Sequence, residues 1–326
     1  MSIASKLFDP LQVGDLTLAH RIVMAPMTRL RATPDVVVTG FTAVLFSAFG
    51  RPGTLLITEA VVDVIHVNGS YIYPQIVALG RMGYPEVLHA GGHPYVSSSS
   101  TKLDSRSESP TELGQIEIKR AVHEAGFDGI EIHACNGSFI EQFIQDVVNK
   151  RTDDYGDSIE NRSRFALEVT EAAVSKIGAK RTGIRFSPWS KGREIAMRSP
   201  VPTYTYIVSE LVKRHSELTY IHMIEPGINS ADNGTTQELD EGVIASNDFA
   251  FQIWSPLPTS PVGATDRLKN AAIVIERLFI SNPDLPLRIK AGIKPAAFDP
   301  STYYTLGPES VKGYTDYSSL DLQAQA

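Results

Sequence analysis

The stretch Glu131–Phe165, EIHACNGSFIEQFIQDVVNKRTDDYGDSIENRSRF, decides the fold. It reads as strand, loop, helix, acidic turn and helix. Its first loop carries His133 and Asn136, three residues apart, at the C-terminal end of the strand. In a barrel of parallel strands that end is where chemistry is done. Downstream, Ser158 reads as the cap of a helix with an apolar face of Phe165, Val169, Ala172, Ala173 and Ile177, and Gly178 reads as its stop.

Working outward, short runs rich in Val, Ile and Leu recur on both sides. They are Ile22–Met24, Thr54–Thr58, Tyr71–Gln75, Gly129–His133, Gly183–Phe186, Tyr220–Ile224 and Ala272–Ile275, with a weaker one near Thr259–Val262. Each reads as a near-continuous hydrophobic strand buried on both faces. Helical patterns lie between several of them, one from Pro202 to Arg214. Strands alternating with helices in this number predict a (β/α)8 barrel in one domain, residues 1–326. The spacing is uneven. Only about ten residues join the runs at Ala60 and Ser70, and a crossover with its helix needs about ten to twelve or more. The link from Val262 to Ala272 is as tight, and the helix Gln115 to Glu124 is short. A shortened, irregular barrel is expected, and a homo-oligomer whose partner chain fills the gaps stays open.

The 326 residues suffice for one barrel, and 42% hydrophobic with 21% charged residues is the balance of a soluble globular protein. Net charge is −7, with no basic stripe for nucleic acid. No run reaches the roughly 18 apolar residues that span a bilayer. The N-terminus has no apolar core of signal-peptide length. Cys135 is the one cysteine, so no internal disulfide can form. A cytoplasmic protein is expected.

The segments LFDPLQVGDLTLAHRIVMAPMTRLRA (Leu7–Ala32), RPGTLLITEA, YIYPQIVALGR, the opening stretch, GIRFSPWS, RLFISNPDLPLRIKAG and FDPSTYYTLGPESVKGYTDY are collinear across most of the chain. Together they resemble the Old Yellow Enzyme family of flavin-dependent ene-reductases, in its fungal form. The resemblance implies flavin mononucleotide (FMN) at the C-terminal mouth of the barrel, NADPH as reductant, and a small substrate with a conjugated carbonyl. The absence of a GxGxxG element agrees, because in this family the nicotinamide needs no Rossmann domain. By the same resemblance, Ala25, Pro26 and Thr28 lie under the flavin ring, and Ala60 lets it approach. Gln75 bonds the pyrimidine edge, and Arg185 stands near N1, where a cation stabilises the reduced anion. Arg185 is a functional candidate on its own, since an arginine inside a barrel strand needs a partner or a wet site. His133 and Asn136 match the pair that holds the substrate oxygen. A histidine bonded to a neighbouring loop is the plain alternative, as a loop cap is for Thr28. Cys135 reads as a packing residue.

Two departures bear on activity. Ser138 stands where the family has a tyrosine acid. A free phenol has a pKa near 10. A serine hydroxyl is a far weaker acid, and loss of general-acid help costs about 10²–10⁴-fold. Tyr304 matches a tyrosine at the pocket rim, and with Tyr303 it offers a phenol from elsewhere; packing is the alternative for both. Val77 replaces a pocket aromatic. The second departure is the phosphate site. The region LPTSPVGATD leaves Gly263 as its one glycine, where a cradle of backbone amides needs several. Arg277 is retained as a phosphate ligand, but Glu276 beside it is negative. Two readings follow: an FMN oxidoreductase acting on an α,β-unsaturated carbonyl compound in fungal secondary metabolism, or a flavin-free descendant that isomerises or cyclises a substrate in the same pocket or is inactive.

Overall fold

The computed structural model describes residues 6–27, 29, 49–58, 63–112, 127–228, 244–254, 270–305 and 311–319. Among these, seven strands carry the fold: β1 (Ile22–Met24), β2 (Leu55–Thr58), β3 (Tyr71–Ile76), β4 (Ile130–Ala134), β5 (Thr182–Phe186), β6 (Tyr220–Met223) and β7 (Ile273–Ile275). Each matches an expected apolar run to within about a residue at its ends, the precision that hydrophobic patterning allows. The weaker run near Thr259–Val262 and the helix Gln115 to Glu124 lie outside the described residues.

The chain divides into two compact units, Met1–Gln75 with Ala125–Gly129 and Thr259–Ala326, and Ile76–Glu124 with Ile130–Pro258. In the first, β7, β1, β2 and β3 pair in that order, all parallel. Their core is Ile22, Met24, Leu56 and Ile72 packed with Phe49, Phe279, Leu285 and Tyr314. Between β2 and β3 stands a helix of five residues, Asp63–Val67, so the tight spacing does shorten this crossover.

In the second unit β4, β5 and β6 pair in parallel, with His133 opposite Arg185 and Arg185 opposite His222. The side-chain period of two sorts these strands into faces. Ile130, Ile132, Ala134, Ile184 and Phe186 pack against three helices, α1 (Phe139–Ile144), α2 (Ile159–Ile177) and α3 (Pro200–Arg214). The opposite face carries Glu131, His133, Arg185 and His222, all buried. These strands therefore alternate apolar with polar and are not apolar throughout. The polar face is legible only once the register places its four ionisable residues together, with the Glu131 carboxylate 2.9 Å from His222 Nδ1.

The helices follow local chemistry. Ser158 Oγ accepts from Asn161 N–H at 3.2 Å and caps α2, while Gly178, at φ 89°, ends it. Phe165 of α2 stacks on Phe143 of α1, ring centroids 4.2 Å apart. Each such fully buried aromatic contributes roughly 1.5–3 kcal/mol of apolar burial. That contact fixes α1 behind the loop that carries His133 and Asn136. No helix among the described residues is long and apolar enough to cross a membrane.

Candidate active site

The loop after β4 runs Cys135, Asn136, Gly137, Ser138 and then enters α1. Asn136 and Gly137 both adopt left-handed backbone, φ 55° and 79°. Asparagine and glycine are the residues that tolerate it. The turn is tied down from below by Glu141. The Gly137 N–H donates to Glu141 Oε2 at 2.7 Å. The Asn136 N–H donates to Ser187 Oγ at 2.8 Å, and the Ser187 hydroxyl donates to Glu141 Oε1 at 2.8 Å. Tyr204 Oη and Gln145 Nε2 donate to the same oxygen at 3.0 and 3.2 Å. Burial pushes the Glu141 carboxyl up to about 7 against the pull of these four donors. Burial, then the Glu141 charge, drives the Tyr204 phenol well above its usual range.

Gln142, the next residue, is equally saturated. Its Nε2 donates to Leu79 O and Gly137 O at 2.9 and 2.7 Å. Its Oε1 accepts from Arg81 N–H and the Ser97 hydroxyl at 3.1 and 2.8 Å. Nothing in the sequence marks this Glu-Gln pair. It reads as an ordinary helix face, and these partners arrive from 45 to 63 residues away.

Burial, and next the charge of Arg185, hold the pKa of His133 at about 4. The imidazole is therefore neutral near pH 7 and has one N–H. Its Nδ1 lies 2.8 Å from Ser138 Oγ, which also lies 3.1 Å from the His133 carbonyl oxygen. The serine has one proton to give. The carbonyl oxygen only accepts, so that proton goes to it, Nδ1–H donates to Oγ, and Nε2 carries the lone pair; turning the hydroxyl to Nδ1 would move the N–H to Nε2, where it could donate to a ligand oxygen. Cys135 Sγ lies 3.6 Å from Nε2, too soft a partner to compete with an anionic oxygen. Ser138 is fully buried, and its hydroxyl is turned to His133 instead of capping α1. It stands where an acid was expected, yet its geometry is that of an orienter of the histidine. Arg185, also buried, lies beside His133 on the next strand.

In the first unit, Ala25 and Pro26 follow β1, and the Ala25 N–H donates to Ile275 O at 2.9 Å. Gln75 is buried near the end of β3. Arg277 follows β7, with its guanidinium 5.8 Å from the centre of the Tyr303 ring. Tyr303 is buried, and its hydroxyl has no hydrogen-bond partner among the described residues. Its neighbour Tyr304 is exposed. Val77, in the second unit, is exposed as well. Thr28, Ala60 and Gly263 lie outside the described residues.

The chain matches the NADH:flavin oxidoreductase / NADH oxidase family over residues 6–79 and 60–295. It belongs to that family. A chanoclavine-I aldehyde reductase of Penicillium roqueforti is 40% identical, with 96% of each chain covered. That alignment spans 359 positions, more than the whole 326-residue chain, so the relative carries segments that this chain lacks. A probable inactive reductase of Epichloe festucae var. lolii is 33% identical over 96% of this chain and 95% of its own. Among solved structures, an Old Yellow Enzyme from Pichia sp. is similar at a TM-score of 0.81 and 29% identity, covering 98% of this chain and 95% of its own. The fold is a (β/α)8 barrel of the Old Yellow Enzyme type, shortened and irregular.

FMN is the cofactor of the family, and the residues present fit it. In the second unit a buried guanidinium beside a neutral imidazole suits a ring that becomes anionic on reduction. In the first, Arg277 and the orphaned Tyr303 hydroxyl are a cation and a donor of the kind a phosphate takes.

Proposed function

We propose that the chain reduces the carbon–carbon double bond of a small α,β-unsaturated carbonyl compound, with NADPH as reductant, in a fungal secondary pathway. FMN, when bound, supplies the hydride. The residues that would hold it are Ala25, Pro26, Thr28, Ala60 and Gln75 for the ring, Arg185 for N1, and Gly263 and Arg277 for the phosphate. The single observation that carries the reading is the neutral His133 beside buried Arg185, with Asn136 in a clamped left-handed turn.

With the Ser138 hydroxyl turned to Nδ1, so that the N–H lies on Nε2, His133 and the Asn136 side chain would receive the substrate oxygen. Two donors there stabilise the negative charge that grows on oxygen as hydride adds to the β-carbon. Donors fixed beforehand need no reorganisation during the step, and the Glu141 and Gln142 bonds fix this loop. The proton for the α-carbon must come from solvent or a distant phenol, because Ser138 holds its own proton against His133. That observation favours a second reading, in which the pocket binds or isomerises a polarised substrate without net reduction. The name of the Epichloe relative, a probable inactive reductase, leans the same way.

One experiment separates the two. The purified protein is given FMN, NADPH and 2-cyclohexenone, and the loss of NADPH absorbance is followed with the product analysed. Saturated ketone formed in step with NADPH supports reduction. Flavin bound without NADPH loss supports the second reading.

A further inference from the structure

Arg193 and Glu194 are consecutive, neither is glycine, and both adopt left-handed backbone, φ 61° and 57°. Two such residues in a row are strained, and strain of this kind persists only where surrounding structure enforces it. The enforcer is Arg81. It is 2% exposed, and its Nη2 donates to the carbonyl oxygens of Arg193 and Glu194 at 3.0 and 3.2 Å. Its backbone N–H donates to Gln142, which in turn donates to the Gly137 carbonyl. A buried chain of bonds thus fixes Arg193 relative to the loop of His133 and Asn136.

The outcome is a cation over that loop. A Cβ built on Gly137 would lie 3.2 Å from Arg193 Cβ and 3.3 Å from its Cδ, so the stem rests on Gly137. The side chain is exposed, and among the described residues its guanidinium meets Met82 Sδ at 3.1 Å, a weak acceptor. The neighbouring Glu194 carboxylate faces elsewhere, toward the Asp104 N–H at 3.0 Å and Arg81 at 3.9 Å. The Arg193 charge also helps to depress His133.

We propose that Arg193 is a specificity residue that binds an anionic group, carboxylate or phosphate, on the molecule whose oxygen rests on His133 and Asn136. The proposal builds on the reduction reading, but its test does not depend on turnover. Calorimetry compares 3-oxocyclohex-1-ene-1-carboxylate with its methyl ester on wild type, Arg193→Gln and Arg193→Lys. A charge-assisted pair predicts that Arg193→Gln weakens the carboxylate about tenfold and leaves the ester unchanged, with Arg193→Lys between. A second arm compares NADPH with NADH. A loss of about tenfold confined to NADPH supports the proposal with the reductant's phosphate as the anion. If charged and neutral ligands weaken together, or neither changes, the proposal is overturned. A colourless protein would remove the redox reading alone, since calorimetry still decides the role of Arg193.

Discussion

Replacing Glu141 by glutamine should change how stability depends on pH. The folded protein holds this carboxyl at about 7, against an ordinary 4.5. At about 1.36 kcal/mol per pKa unit the shift corresponds to roughly 3 kcal/mol. The sign follows from proton binding. Between the two values the folded state holds a proton that the unfolded chain has released. Stability from this group is therefore full below about pH 4.5 and falls as pH rises through about 7, then levels. About 2.5 kcal/mol of the fall lies between pH 5 and pH 8. Glutamine cannot titrate. It also turns an amide donor toward Gly137 N–H or toward the Ser187, Tyr204 and Gln145 donors, so the variant starts below wild type at pH 5. The gap should close by about 2.5 kcal/mol by pH 8. Urea unfolding of both proteins at the two pH values, with equal FMN present, measures it. A gap that is the same at pH 5 and pH 8 would refute the reasoning.

Three further substitutions test separate parts of the account. Tyr204→Phe removes one donor to Glu141 and should move the pH window upward, read from the same unfolding series. Ser138→Ala leaves His133 Nδ1 without its hydroxyl. It should cost about 1–3 kcal/mol in unfolding and raise KM for 2-cyclohexenone more than it lowers kcat, with Ser138→Thr keeping most of the wild-type KM. Gly156→Ala would put a Cβ within contact of the Arg151 carbonyl carbon and oxygen, backbone that cannot step aside. A loss of about 1–3 kcal/mol is expected by thermal melting, and an unchanged melting temperature would show the turn to be slack.

What was legible in the sequence follows from the range of the forces involved. Strand runs and the Ser158–Gly178 helix are written in local periodicity and capping, so both were found nearly to the residue. The Asp63–Val67 helix was foreseen as short because chain length alone limits a crossover. Ser138 was legible as an odd residue, but the direction of its hydroxyl was not, since that depends on the imidazole brought over it by β4. Glu141 and Gln142 gave no signal, because their partners come from α3, the residue after β5 and the segment after β3. The left-handed pair Arg193–Glu194 was equally silent. Only the buried Arg81, 112 and 113 residues earlier, makes that conformation stable.

FMN reduction chemistry here requires that a barrel with a degraded glycine cradle still holds FMN. The visible absorption spectrum of the purified protein, before and after incubation with FMN and gel filtration, tests it most directly. The expected result is a yellow protein with flavin bands and FMN released in near-equimolar amount on denaturation. Protein that leaves the column colourless after incubation would contradict it.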